Sequence, residues 1–260
     1  MSLFKRYFLV LMVVAAFSYF AVSAWAEEGG GGAANAPGTV GSQSATQAIG
    51  QVITIFVYSM QGLLSLILMA LVVFDFLNIR LSTMVPVSVV EQITEMLNRG
   101  AYDELMDFCK TAPTQLTDVV AAGLDKVRKG GYAEGIKALE EKIAETGLLI
   151  ENRVSWFNFI YVIAPMMGLF GTVLGMVMAF DTFAANTNPQ PSQLAGGIRT
   201  ALRATVFGLM VAMPSMAFFF YFRNRLARVL IEMGMTVEGM FEHFRHVSPG
   251  KLSPESKQPA

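Results

Sequence analysis

Ala164-Pro-Met-Met-Gly-Leu-Phe-Gly-Thr-Val-Leu-Gly-Met-Val-Met-Ala-Phe180 is the stretch on which the fold turns. It carries no charged side chain, and Gly168, Gly171 and Gly175 fall at i, i+3 and i+7, on one face of a helix. Stripped to backbone, that face is nearly flat. Flat faces matter most in lipid, where the tails remove the hydrophobic drive between helices and close backbone approach has to hold them together. A second stretch, ALRATVFGLMVAMP over 201–214, repeats the design with Ala201, Thr205, Gly208 and Ala212 at i, i+4, i+7 and i+11. The two stripes predict tight helix association, within a subunit, between subunits, or both.

Composition supports the same reading. The 260 residues are 53% hydrophobic and only 15% charged, with a mean hydropathy of +0.49, values outside the soluble range. With 19 basic against 20 acidic residues the chain lacks the concentrated positive charge that displaces counterions from nucleic acid. A single cysteine, Cys109, excludes an intramolecular disulfide or thiolate cluster. It sits on an amphipathic pattern and reads as a small buried apolar residue. His243 and His246 stand at i, i+3 without a third ligand and read as a solvated helix end, so no metal is expected. No phosphate-binding glycine loop, His-Glu-x-x-His or serine elbow occurs. Neither an enzyme nor a cofactor is expected.

From the N-terminus, residues 1–26 read as a signal peptide, with Lys5 and Arg6, an apolar core and Ala24-Trp25-Ala26 as cleavage site, or else as an uncleaved first span. Residues 27–51, rich in Gly, Ala and Ser, read as a flexible periplasmic linker. Apolar stretches at 52–77, 156–183 and the start of 199–246 are long enough to cross a hydrocarbon core. Lysine and arginine set their direction: 27–51 and 181–198 contain none, while 78–155 contains nine and 223–260 contains six. The segment 78–155 is therefore expected to form a cytoplasmic helical domain, 184–198 a periplasmic loop, and 247–260 a disordered cytoplasmic tail. The third span does not end at the membrane, because Leu226, Val229, Leu230, Met233, Val237, Met240, Phe241 and Phe244 continue a helical stripe into the cytoplasm.

No Asp, Glu, Lys or His lies in the middle of a span; Asp75 and Asp181 stand at the ends, where water or headgroups reach them. A chain that carries protons across a bilayer by itself needs a titratable group there, so any carrier is expected on another chain. Thr172 and Thr205 are the polar residues of the two small-residue faces. The plain reading of a membrane threonine is a hydroxyl bonded back one turn. In a ring of subunits, however, both would become rings of hydroxyls. Pro165 and Pro214 each remove a backbone donor and are expected to kink their helices.

With these residues on the page, 164–180 and 201–214 resemble the second- and third-span signatures of the MotA/TolQ/ExbB proton-channel family, most closely its ExbB-like and TolQ-like branch. A weaker similarity runs from Arg99-Gly-Ala-Tyr-Asp-Glu-Leu to Cys109. The resemblance implies an all-α membrane protein of the bacterial inner membrane, with three transmembrane helices, long cytoplasmic extensions and a cytoplasmic C-terminus, assembled as a homopentamer. It implies a pentamer enclosing two copies of an ExbD-like or TolR-like single-span partner whose membrane Asp moves the proton or sodium ion. A TonB-like or TolA-like periplasm-spanning protein is a further implied partner. By position Thr172 and Thr205 match the family's pore-lining threonines. One departure stands out: where many members have a Glu five residues before the third-span Thr, this chain has Thr200, flanked by Arg199 and Arg203. Those arginines either form a basic ring at the outer mouth or turn to headgroups or Asp181. The implied function is a motor subunit coupling ion flow to work on envelope transport or maintenance; the alternative is a non-conducting membrane scaffold.

Overall fold

Every element among the described residues is helical. The computed structural model describes residues 43–185 and 190–246. The expected signal peptide 1–26, most of the linker 27–51 and the tail 247–260 lie outside them. The helices are α1 (Gln43–Asn78), α2 (Leu81–Met84), α3 (Val87–Arg99), α4 (Tyr102–Thr111), α5 (Gln115–Gly130), α6 (Tyr132–Ala185) and α7 (Pro191–Phe241), followed by a 3-10 turn over Glu242–His246. Three helices are long and apolar enough to cross a membrane, over Val52–Asn78, Tyr132–Asp181 and Leu194–Phe241. Pro165 and Pro214 both lie inside unbroken helices.

Two boundaries differ from expectation. Helix α1 starts at Gln43, inside the segment 27–51 read as linker. The dense Gly and Pro run ends at Gly41, and the Ala and Gln residues that follow are good helix formers. Helix α7 starts at Pro191, within the loop expected over 184–198. Proline suits a first helical position because its missing N–H has no intrahelical use there. Arg199 and Arg203 therefore stand well inside a helix instead of at a loop edge.

The chain partitions into two units, one of residues up to Val73 with Trp156–Phe219, the other of Phe74–Ser155 with the chain from Phe220 onward. In the second unit short helices are set off by their end residues. Gly100, at φ 69°, stops α3 by turning its N–H onto the Leu97 carbonyl. Thr114 opens α5 through a reciprocal box with Thr117, whose N–H it accepts at 3.2 Å while its own N–H reaches the Thr117 hydroxyl at 2.7 Å. Their apolar faces meet in a core that includes Ile93, Leu105, Leu116, Val119, Leu124, Val154, Met233, Val237, Phe241 and Phe244, each fully buried. The stripe read along 226–244 is thus one wall of a real core, with Leu226, Val229, Met233, Val237, Met240, Phe241 and Phe244 all buried.

The same unit corrects the reading of Asp75. It was expected to meet water, yet it is 0% exposed, because it continues the face of α1 that buries Val72, and Ile79 just past the helix end is buried with it. Neither carboxylate oxygen has a hydrogen-bond partner. The Arg153 guanidinium stands 4.0 Å away and also covers the Phe74 ring at 4.9 Å.

In the first unit the two small-residue stripes close on one another within one chain. A Cβ on Gly168 would lie 2.9 Å from the Ala204 carbonyl oxygen, one on Gly171 would lie 2.8 Å from the Ala204 Cβ, and one on Gly175 would lie 2.8 Å from the Ala201 Cβ. Gly208 answers from α7, since its Cβ would come to 2.5 Å from the Ala164 carbonyl oxygen and 3.3 Å from the Gly168 Cα. Ala164, Ala201, Ala204 and Ala212 are buried along this seam. At another point the Ser215 hydroxyl donates to the Phe157 carbonyl at 2.7 Å. Large apolar side chains such as Met166, Phe170, Val206 and Met213 face outward.

Two outcomes follow from this packing. Gly208→Ala pushes a methyl group into main chain that cannot give way, so it should destabilise the protein by about 1–3 kcal/mol. Gly196→Ala, with nothing within 4 Å of the new methyl, should be neutral or gain up to about 1 kcal/mol of helix propensity. Thermal unfolding in detergent separates the two. Burial, with a smaller push from Asp118, raises the Cys109 thiol to about 11. The reactive thiolate is therefore scarce at neutral pH, and a maleimide at about pH 8 should label only the unfolded chain.

Candidate ion-pathway site

Both threonines singled out in the sequence border the α6–α7 seam, and both hydroxyl protons are already in use. Thr172, 8% exposed, donates to the Leu169 carbonyl at 2.7 Å on its own helix. That is the local back-bond expected of a membrane threonine. Thr205, half-buried, reaches across the seam to the Gly168 carbonyl at 3.3 Å. The glycine makes this possible, because a side chain at 168 would occupy the space. What each hydroxyl still offers is its oxygen, an acceptor with lone pairs to spare. Such a site can solvate a cation or a protonated group, but it cannot itself take up or release a proton near neutral pH.

Thr200 is polar but brings no charge to α7. Its hydroxyl is bonded back to the Gly196 carbonyl at 3.2 Å. Arg199 and Arg203 are both exposed on α7.

The sequence reading passed over two polar residues of the first span. Gln61 is 4% exposed, and its amide Nε2 donates to the Ala204 carbonyl at 3.0 Å. Its Oε1 is buried without a partner. One turn away the Tyr58 hydroxyl donates to the Thr200 carbonyl at 3.4 Å, and its ring stands edge-on to Phe207. A signal was present: Thr54, Tyr58 and Gln61 recur at i, i+4 and i+7 within a mostly apolar helix. A small cavity lined by Thr54, Tyr58, Thr200, Ala201 and Ala204, among others, has room for about one water. Among the described residues no group of three His, Cys, Asp or Glu side chains converges on a point.

Comparison with known proteins gives this arrangement a context. The model of the MotA/TolQ/ExbB proton channel family matches residues 111–235. The biopolymer transport protein ExbB of Salmonella typhimurium is 28% identical over 130 residues, which is 48% of this chain and 53% of that protein. The Tol-Pal system protein TolQ of Haemophilus influenzae is 38% identical over 66 residues, 25% of this chain and 29% of that protein. The chain thus spans about half, or less, of the length of these relatives. The solved structure of C. jejuni MotAB has a TM-score of 0.48 at 16% identity, covering 94% of this chain and 92% of that one, a likeness below the level from which a shared fold follows. The matched segment, just under half of the chain, holds the 164–180 stretch and the 201–214 stretch, and over it the chain is similar to the MotA/TolQ/ExbB proton channel family.

Proposed function

We propose that this chain is the housing subunit of an inner-membrane ion channel or motor, and that the titratable carrier belongs to a different polypeptide. The observation that carries the reading is the chemistry of the seam: Thr172, Thr205 and Gln61 meet main-chain carbonyls with two hydroxyls and one amide, groups that neither take up nor release a proton near neutral pH. Similarity to a proton-channel family over residues 111–235 supports it. Five copies would enclose two copies of an ExbD-like or TolR-like single-span protein, whose membrane Asp takes up and releases a proton or sodium ion. Thr172 and Thr205 would then present their free lone pairs to the hydrated carrier. The unit built from 78–155 and the end of α7 would lie in the cytoplasm with the C-terminus. Work would pass to a periplasm-spanning protein of TonB-like or TolA-like kind. Each charge crossing 100 mV releases about 2.3 kcal/mol, so several suffice to turn a bistable assembly.

A second reading, a membrane scaffold that conducts nothing, draws on Thr200 and its arginine neighbours. A back-bonded hydroxyl cannot replace a carboxylate at a cation's entrance, and exposed Arg199 and Arg203 would repel cations there. The motor reading instead has both arginines held by outer headgroups, as long basic side chains near helix ends commonly are.

Thr172→Val and Thr205→Val keep the side-chain volume and remove the oxygen. In vesicles holding the chain and its single-span partner, either change should lower ion flux by about tenfold or more. Subunit stoichiometry, read by native mass, should stay unchanged. Wild-type flux in both variants would remove the role given to the threonines, and a wild-type complex that passes no ions would favour the scaffold. Vesicles containing this chain alone should remain tight.

A further inference from the structure

Two side chains of α1, Tyr58 and Gln61, grip two main-chain carbonyls of α7 that are also one turn apart, those of Thr200 and Ala204. Helical carbonyls already accept an N–H from four residues ahead, so these are second bonds on the remaining lone pair. Such bonds gain weight in mid-span, where an amide without a partner is costly. Packing does not call for an amide at this place. Val57, Leu64 and Leu68 serve the same buried face with apolar side chains.

The position of the Gln61 bond gives it a consequence. The Ala204 carbonyl is the atom against which Gly168 is stripped bare, and the next residue, Thr205, spans the seam to the Gly168 carbonyl. All three helices of the first unit therefore meet at a single peptide group. We infer that Gln61, seconded by Tyr58, is a positioning residue: it holds α7 in the register that places the Thr205 hydroxyl on Gly168. The first span is then a brace for the site instead of a mere membrane anchor. This inference rests on the reading of Thr205 as part of the ion pathway.

The test separates the bond from its consequence. Ala204–Thr205 is one of only two Ala-Thr pairs in the chain, the other being Ala45–Thr46. Carbonyl-labelled alanine with nitrogen-labelled threonine therefore leaves two resonances in solid-state NMR of the full complex in lipid, and Ala45→Gly removes the one that is not Ala204. Gln61→Leu should shift the Ala204 resonance and cut ion flux by about tenfold or more. Gln61→Glu supplies the discriminating readout. A protonated carboxyl donates to the Ala204 carbonyl as the amide does, whereas an ionised one has no proton to give. Its flux relative to wild type should recover in acid and fall as pH rises. Tyr58→Phe should act in the same direction and by less, since its bond is the longer one. Should Gln61→Leu fail to assemble, the pH profile of Gln61→Glu tests the same bond. An unmoved Ala204 resonance in Gln61→Leu, or a moved one with wild-type flux, overturns the inference. So does a Gln61→Glu defect that is equal at every pH. Normal flux through Thr205→Val beside a moved resonance instead removes the pathway reading and the positioning role with it, leaving only the bond.

Discussion

The first unit depends on how closely two helix backbones approach at Gly168, Ala204, Gly208 and Ala164. In water, burial of apolar side chains would hold such helices together, but lipid tails are as apolar as the side chains and supply no such drive. What remains is dispersion between well-fitted surfaces and hydrogen bonds shielded from water. Both grow as the backbones draw near. Glycine and alanine permit the approach, and the approach in turn brings the Gly168 carbonyl within reach of a threonine on the facing helix. The packing and the polar chemistry of the site thus share one cause.

Low dielectric surroundings also explain the form the polar groups take. Thr172, Thr205, Tyr58, Gln61 and Ser215 all donate to main-chain carbonyls. A carbonyl in a helix has a lone pair free, so it is an acceptor that costs nothing to supply. Donors used in this way stiffen the bundle while leaving hydroxyl oxygens able to accept. In the proposed housing, a neutral wall of acceptors would leave ionisation to the partner's moving group. Fixed charge in the wall would bind the carrier at one place and hinder its release.

Elsewhere the physics changes. The second unit has a conventional core of leucine, valine and phenylalanine closed by short capped helices, held by burial from water. Asp75 belongs to this unit and shows how a helix face overrides distance from a span's end. Once its register puts it with Val72 and Ile79, it is buried whatever its nearness to water, and Arg153 offsets part of the cost.

The sequence by itself determined what depends on composition and period. Three apolar stretches of spanning length, the glycine and alanine stripes, the stripe along 226–244 and the absence of Asp, Glu, Lys and His in mid-span can all be counted on the chain. The helix starts at Gln43 and Pro191 were misjudged, because helix-forming residues there outweighed nearby Gly and Pro. Only the tertiary structure decided which stripe meets which, because a flat face names no partner. It alone joined Thr205 to Gly168 and Gln61 to Ala204, bonds across sequence separations of 37 and 143 residues. Periodicity reports which side of a helix is special. The residue a side chain touches depends on the rotation and depth of a second helix, and those arise only when backbones are brought together.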